Sequence, residues 1–332
     1  MIISRTPFRI SFFGGGTDYP AWFRENGGAV LATTIDKYCY ISCRYLPPFF
    51  EHRYRIVYSK IENIRDIHEI EHPAARAILA WLDCQRGLEI HHDGDLPARS
   101  GLGSSSSFTV GLLNALTALD GKYVTKDELA RRAIYIEQDL IGENVGSQDQ
   151  VLVAYGGFNH IEFKRDGGFN VSPVVIPRER FRALESNMML FFTGFPRIAS
   201  DIAKTQIDNI KKKTAELRRM QEMVDEALRI LNRQNDTLED FGRLLNDSWQ
   251  YKRSLSNKVT TPEIDRIYDS ALAAGAIGGK ILGAGGGGFL LLFVPLEHQP
   301  NVRSRLKQLI HVPFHFENTG SKIVLYQPNG LT

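Results

Sequence analysis

The segment PARSGLGSSSSFTVGLLNAL, residues 97–116, places four consecutive serines directly in front of an apolar helical run. A single serine is sufficient to cap a helix, because one side-chain oxygen accepts from the exposed N–H groups of the first turn. That turn also carries the positive end of the helix macrodipole, and Gly101 and Gly103 let an anion approach the backbone closely. The segment therefore predicts either a plain capped helix or a site where backbone N–H groups and serine hydroxyls hold phosphate.

The composition of the chain argues against some classes of function. Of the 332 residues, 43% are hydrophobic and 23% are charged, which is ordinary for a globular chain of one large or two medium domains. The net charge of +2 gives no general reason to expect nucleic acid or an anionic membrane as a partner. No run of eighteen apolar residues and no secretory signal is visible, and the three cysteines lack zinc-like spacing. A cytoplasmic protein with free thiols is expected.

The order of the predicted strands and helices indicates an α+β fold rather than a regular βα alternation. Residues 2–16 are typical of a strand that runs into a glycine-rich turn. Residues 125–142 predict one helix that begins with a capping box of Thr125 and Glu128. From about residue 198 to residue 249 the chain is mostly amphipathic helix, whose apolar stripe is expected to pack into a core. Association with another chain would give the same stripe.

Two standard nucleotide-binding motifs do not account for the glycines. The Walker phosphate loop requires Gly-Lys-Ser/Thr after a first glycine and four further residues, and no such string is present. Gly283, Gly285 and Gly288 match the letters of the dinucleotide fingerprint. However, FLLLFV follows them and predicts a buried strand, whereas the fingerprint must open a helix.

A further glycine-rich segment near the N-terminus, TPFRISFFGGGTDYP, residues 6–20, has a charged residue on each side of its turn. Arg9 lies on the strand that leads into the three glycines, and Asp18 follows them. Asp18 is placed either to meet a ligand or to cap the helix that begins after it, and the local sequence leaves both interpretations open.

Taken together, the three glycine-rich segments resemble the three motifs of the GHMP small-molecule kinases. They occur in the order of that family, as PFRISFFGGGTDY, PARSGLGSSSS and KILGAGGGGFLLL, and they span almost the whole chain. Within the superfamily, FRISFFGGGTDYPAWF, TTIDKYCY and LFFTGFPRIASDI most resemble the bacterial D-glycero-D-manno-heptose 7-phosphate kinases. The resemblance implies a GHMP kinase fold of two halves. The ATP-binding N-terminal half, residues 1–185, would resemble ribosomal protein S5 domain 2, and the C-terminal half, residues 186–332, would be ferredoxin-like with inserted helices.

The resemblance also implies roles for individual residues. It assigns the ATP phosphates to Arg99, Ser100, Gly101, Leu102, Gly103, Ser104, Ser105 and Ser106. It assigns Mg²⁺ to Ser105 and Glu137. It assigns the acceptor substrate to Gly15, Gly16, Thr17, Asp18, Arg197, Gly285 and Gly286. Asp149 would face the reacting hydroxyl as its base, and Arg9 would lie near Asp149 and the transferred phosphate.

These assignments have structural alternatives. Glu137 could be an exposed acid on a helix, Asp149 could cap the element that follows it, and Arg9 could be a structural ion-pair partner. The departures from the family pattern are small: four serines replace the more usual serine-serine-alanine, and GGGTD stands where galactokinases have GEHTD. The second departure removes a charge beside the sugar and argues against galactose as the substrate.

The resemblance implies transfer of the γ-phosphoryl group of ATP, with Mg²⁺, to the C1 hydroxyl of D-glycero-D-manno-heptose 7-phosphate, giving the 1,7-bisphosphate. The 7-phosphate needs a cationic partner, for which Arg197, Lys37 and Arg44 are candidates. The alternatives are a kinase for an unphosphorylated sugar such as L-fucose and a non-catalytic sugar-binding regulator. A regulator would be expected to lack one of the two carboxylates, Glu137 and Asp149, and both are present. The expected partners are therefore a sugar phosphate and ATP, and the chain would be a monomer or a homodimer.

Overall fold

A computed structural model describes residues 1–98, 100–194, 199–233 and 237–328. The helices are α1 (Pro20–Asn26), α2 (Pro73–Trp81), α3 (Ser104–Leu119), α4 (Lys126–Tyr135), α5 (Gln148–Tyr155), α6 (Arg178–Ser186), α7 (Ala199–Asn209), α8 (Thr214–Asn232), α9 (Glu239–Leu255), α10 (Pro262–Ala273) and α11 (Gln299–Arg305). The strands are β1 (Ile2–Phe13), β2 (Gly28–Tyr45), β3 (Tyr54–Val57), β4 (Ile61–Ile64), β5 (Leu88–Gly94), β6 (Phe158–Phe163), β7 (Phe169–Pro173), β8 (Met188–Phe192), β9 (Gly278–Ile281), β10 (Phe289–Phe293), β11 (Ile310–His311), β12 (Phe316–Glu317) and β13 (Lys322–Tyr326). This is the α+β architecture that the sequence predicts.

The larger sheet is built around the first two strands. β1 and β2 pair antiparallel over almost their full lengths, and the sheet continues in the order β13-β1-β2-β5-β3-β4. Strands β6 and β12 pair with β2, and β7 pairs with β6. Because β12 and β13 come from the end of the chain, both ends contribute to one sheet, and the division at residues 185 and 186 remains a prediction.

The smaller sheet has the order β11-β8-β10-β9, with antiparallel neighbours. Its strand β10 is buried along its whole length, as expected of an apolar run without polar alternation. The glycine run 283–288 therefore leads into a buried strand, which confirms that it does not open the helix of a dinucleotide fingerprint.

The amphipathic helix α8 packs against the larger sheet. Leu217, Met220, Val224 and Leu231 are all buried in the main core, so this stripe is core packing. A Cβ built on Gly14 would lie 2.8 Å from a methyl group of Val224, which shows how closely α8 approaches the first glycine turn. Among the described residues, no helix combines the length and apolar character needed to cross a membrane.

The segment 125–142 differs from the single regular helix predicted from the sequence. The Thr125 hydroxyl caps the Glu128 N–H as expected, but α4 ends at Tyr135 and a π-helical turn follows at Ile136–Leu140. Within this turn the Ile141 N–H donates to the Ile136 carbonyl, five residues back. The wider turn accommodates one extra residue, and such turns are frequent at functional sites. Here Glu137 lies in the turn and is 1% exposed.

Candidate active site

A cavity of about 350 Å³ brings the three glycine-rich segments together. Gly15 and Gly16 of the first segment line it, as do Gly101 and Gly103 of the second and Gly283 of the third. A larger cleft of about 1090 Å³ lies elsewhere; Arg44, a candidate partner of the 7-phosphate, lines it, but none of the glycine-rich segments does. The site is therefore assigned from its chemistry and not from its size.

The four serines form the first turn of α3, and none of them is its N-cap. Gly103, with a φ of 77°, occupies that position, and no side chain caps the helix there. Ser105 is exposed and lines the cavity together with Ser104 and Ser106. The N-terminal N–H groups of α3 thus keep no side-chain cap and border the cavity, which favours the anion site over the plain capped helix.

The serine hydroxyls have different surroundings. Ser106 Oγ donates to Glu137 Oε2 at 2.9 Å, whereas the buried Ser107 Oγ donates to the Pro7 carbonyl at 3.0 Å. Ser107 is therefore part of the packed interior and does not line the cavity. Ser106 thus supplies a hydroxyl that contacts Glu137, while the assignment of Mg²⁺ to Ser105 remains a prediction.

Ser105→Ala is expected to lower kcat at least tenfold and to leave the melting temperature unchanged, because Ser105 is exposed at the cavity. Ser107→Ala is expected to lower the melting temperature and to leave kcat unchanged, since losing its buried hydrogen bond costs about 1 kcal/mol of stability. Steady-state kinetics and thermal unfolding of both variants measure these effects. Ser106→Ala adds a comparison, and a larger loss of kcat there than in Ser105→Ala would move the metal assignment to Ser106.

Arg9 and Asp149 form a two-bond ion pair inside the cavity. Arg9 Nε donates to Asp149 Oδ1 at 2.7 Å and Nη2 donates to Oδ2 at 2.5 Å. Arg9 Nη1 also donates to the Gly101 carbonyl at 2.7 Å. The guanidinium is therefore buried between β1, α5 and the serine-rich loop, and Asp149 makes no cap of α5. Since both residues line the cavity, the pair is available to a ligand.

Asp18 is 2% exposed and lines the same cavity. Its Oδ1 accepts from the Gly16 N–H at 2.8 Å, and its Oδ2 accepts from the Gln148 N–H at 3.4 Å. Burial raises the pKa of Asp18, and nearby Asp149 adds to the effect. Helix α1 begins after Tyr19 without any side-chain cap, so Asp18 does not cap it.

Glu137 is buried rather than an exposed helix acid. Its Oε2 accepts from Ser106 and from Gln150 Nε2, while Oε1 is buried without a well-formed hydrogen bond. Burial raises the pKa of Glu137 to about 7, although the side chains of Thr109, Gln150 and Ser106 act to lower it. A buried carboxylate oxygen without a well-formed hydrogen bond has the chemistry of a cation ligand.

Magnesium is commonly held by one or two protein oxygens together with substrate phosphates. Among the described residues, no cluster of three or more His, Cys, Asp or Glu side chains could hold a metal alone. The carboxylate of Glu137 beside a serine-rich helix start therefore fits Mg²⁺ bound jointly with a nucleotide.

The remaining predicted residues divide between the cavity wall and its support. Thr17 is buried behind the wall, where its hydroxyl bonds the carbonyls of Gly14 and Ala29. The predicted residues that do not line the cavity are Thr17, Ser100, Leu102, Glu137, Gly285 and Gly286. Glu137 lies behind the wall and contacts it through Ser106. Arg99 and Arg197 lie outside the described residues. Lys37 donates a hydrogen bond to Asp36, and Arg44 donates one to Glu89. Neither Lys37 nor Arg44 lines the 350 Å³ cavity.

The third glycine segment supports the second. The Phe289 N–H donates to the Ser100 carbonyl at 3.2 Å, and a Cβ on Gly288 would lie 2.2 Å from that carbonyl oxygen. Two buried lysines, Lys252 on α9 and Lys280 on β9, line the cavity as well. Sequence reasoning missed both. Lys280 stands directly in the third motif, but Lys252 lies within an amphipathic helix that gives no local signal.

Comparisons with known proteins place the chain in a family. The family profile for the GHMP kinases N terminal domain matches residues 69–157, and that for the GHMP kinases C terminal domain matches residues 226–311. A mevalonate kinase from Methanothermobacter thermautotrophicus is 30% identical over 69% of this chain and 73% of its own length. The chain belongs to the GHMP kinase family.

This GHMP kinase is also 29% identical to the D-glycero-alpha-D-manno-heptose 7-phosphate kinase of Campylobacter jejuni, over 92% of this chain and 93% of that one. Among solved structures, a D-glycero-D-manno-heptose 1-phosphate kinase from Bacteroides thetaiotaomicron matches 98% of this chain and 100% of its own. Its TM-score is 0.79 at 24% sequence identity, so it supports the fold. The protein is thus an enzyme, a kinase that uses ATP and an alcohol acceptor, as the motifs predict.

Proposed function

We propose that this enzyme transfers the γ-phosphoryl group of ATP to the C1 hydroxyl of D-glycero-D-manno-heptose 7-phosphate. The observation that carries the chemistry is the Arg9–Asp149 pair, which lies in one cavity between the serine-rich helix start and the glycine turn that bears Asp18. The substrate is proposed from the similarity to the heptose 7-phosphate kinase of Campylobacter jejuni along almost the whole chain.

In the proposed reaction, the C1 oxygen forms a bond to the γ-phosphorus and the bond from that phosphorus to the β,γ-bridging oxygen breaks, releasing ADP. Asp149 accepts the hydroxyl proton, and Arg9 donates to the transferred phosphoryl oxygens. Phosphoryl transfer depends mainly on alignment and charge neutralisation, and these pre-formed groups supply both. The N–H groups at the start of α3 hold the phosphates of ATP.

Glu137, with Ser105 or Ser106, is proposed to hold Mg²⁺ beside those phosphates. When bound, the ion would neutralise charge on the β- and γ-phosphates. Gly15, Gly16 and Asp18 are proposed to bind the sugar, since a buried carboxylate accepts hydrogen bonds from hydroxyl groups well.

A second candidate is a kinase for an unphosphorylated sugar. The L-fucokinase/L-fucose-1-P guanylyltransferase of Bacteroides fragilis is 25% identical over 93% of this chain, although the match covers only 37% of that longer protein. The two candidates differ in whether the acceptor already carries a phosphate.

The test measures ADP release from ATP with four acceptors, each at several concentrations: heptose 7-phosphate, the free heptose, heptose 1-phosphate and L-fucose. The proposal expects kcat/KM for heptose 7-phosphate to exceed the others at least a hundredfold, with a 1,7-bisphosphate as the product. Equal or greater activity on L-fucose would overturn it in favour of the second candidate.

A further inference from the structure

Two lysines of the C-terminal half are buried at the cavity without a counter-charge. Lys252 is 6% exposed and Lys280 is 2% exposed. Lys252 Nζ donates to the carbonyls of Ile281 and Gly283, and Lys280 Nζ donates to the Phe12 carbonyl at 2.8 Å. Neither makes an ion pair with any carboxylate in the described parts of the chain.

The nearest carboxylates are already committed to other donors. Asp149 gives both oxygens to Arg9, and Asp18 accepts from two backbone N–H groups. Buried lysines are nearly always paired, because an ammonium group that leaves water without a counter-charge is costly. A pair of such groups at the wall of a ligand cavity therefore indicates an anion that arrives with the ligand.

The position of the lysines indicates which part of the ligand they meet. Lys280 bonds the carbonyl of Phe12, two residues before the glycine turn that holds Gly15 and Gly16. Lys252 Nζ donates a hydrogen bond to the carbonyl of Gly283 in the third glycine loop. Lys280 therefore flanks the proposed sugar side of the cavity. Lys252 lies close enough to Lys280 to influence its charge, at the point where the third glycine loop approaches Gly101 of the serine-rich loop.

We propose that Lys252 and Lys280 together bind the phosphate group that the acceptor sugar carries before the reaction. This inference rests on the proposed function. It assigns the 7-phosphate to two residues of the C-terminal half, whereas Lys37 and Arg44 lie away from the cavity. It also makes the lysines the feature that separates a sugar-phosphate kinase from a kinase of free sugars.

The electrostatics of the cavity support this role. Burial, together with the charge of nearby Arg9, lowers the pKa of Lys252 to about 7, although Asp18 and Asp149 act to raise it. Burial also lowers the pKa of Lys280, and Lys252 and Arg9 act in the same direction. A bound phosphate dianion would raise both pKa values, so above pH 7 its binding draws a proton onto Lys252.

The experiment compares wild type with Lys252→Met and Lys280→Met, because methionine keeps much of the apolar length of lysine and removes its charge. Lys164→Met, at an exposed turn away from the cavity, is the matched control. Isothermal titration without turnover measures Kd for heptose 7-phosphate, for the free heptose, for a non-hydrolysable ATP analogue and for inorganic phosphate. Thermal unfolding verifies that each variant folds.

The expected result is that each cavity variant weakens heptose 7-phosphate binding at least tenfold and leaves the free heptose and the ATP analogue unchanged. In addition, wild type should take up a proton on binding at pH 8, measured in two buffers of different ionisation enthalpy, and Lys252→Met should take up less. Equal losses for both sugars, or a loss confined to the ATP analogue, would overturn the proposal.

Inorganic phosphate separates this proposal from the proposed function. In one outcome, wild type binds no heptose 7-phosphate and yet binds inorganic phosphate more tightly than the lysine variants do. That result would refute the proposed substrate and support the proposed phosphate site. If phosphate binds wild type and the lysine variants equally, the site is refuted whatever the substrate.

Discussion

Asp149→Asn is expected to lower kcat by about two to four orders of magnitude, the usual contribution of a general base, with little change in the Kd of ATP. The asparagine amide cannot accept the hydroxyl proton, and it no longer balances the charge of buried Arg9. Rapid-quench kinetics with saturating ATP and heptose 7-phosphate measure the chemical step, and titration with an ATP analogue measures nucleotide binding.

The double variant with Arg9→Met separates proton transfer from charge balance. If Asp149 only positions Arg9, the double variant should be no slower than Arg9→Met alone, because the two residues would act as one unit. If Asp149 is the base, its loss should cost activity in either background. A loss of kcat below about tenfold in Asp149→Asn, about 1.4 kcal/mol of barrier, would show that Asp149 is not the base.

The glycine segments made most of the fold and the outline of the site predictable. Some backbone positions require glycine and are therefore recognisable in the sequence. Gly103 has a positive φ, and Gly288 approaches the backbone of Ser100 too closely for any side chain. The order of the motifs therefore predicted the family, and the resemblance implied that Arg9 lies near Asp149, as it does. The helix start differs from the prediction, since the serines lie inside the first turn of α3 and not in front of it.

Side-chain direction within a regular pattern was harder to predict. Residues 125–142 have an ordinary helical pattern of apolar and polar side chains. This pattern does not indicate the π-helical turn in which Glu137 is buried. Lys252 is missed for a related reason, since a lysine on an amphipathic helix normally faces water. Its burial depends on the approach of α9 to the third glycine loop, and that contact joins residues distant in the chain.

Glu137→Gln is expected to abolish most activity and at the same time to stabilise the metal-free protein. Burial raises the pKa of Glu137 from 4.5 in its unperturbed form to about 7, so the folded state favours the protonated carboxyl. Stability is therefore lost as pH rises from about 4.5 to 7, and the full penalty, on the order of 3 kcal/mol, is present above pH 7. Glutamine removes this penalty, so Glu137→Gln should melt at a higher temperature than wild type at pH 8 without Mg²⁺.

The same carboxylate should make the Mg²⁺ requirement depend on pH. Only the ionised form binds a cation, so the Mg²⁺ concentration for half-maximal activity of wild type should rise by about tenfold per unit as pH falls below 7. Asp139→Asn, which changes an exposed acid in the same π-helical turn, is the control and should leave both the melting temperature and the Mg²⁺ dependence unchanged. A Glu137→Gln variant that melts below wild type, or that keeps its activity, would make Glu137 a structural residue. In that case the metal would have to be held by the serine hydroxyls and the nucleotide, without a carboxylate from this turn.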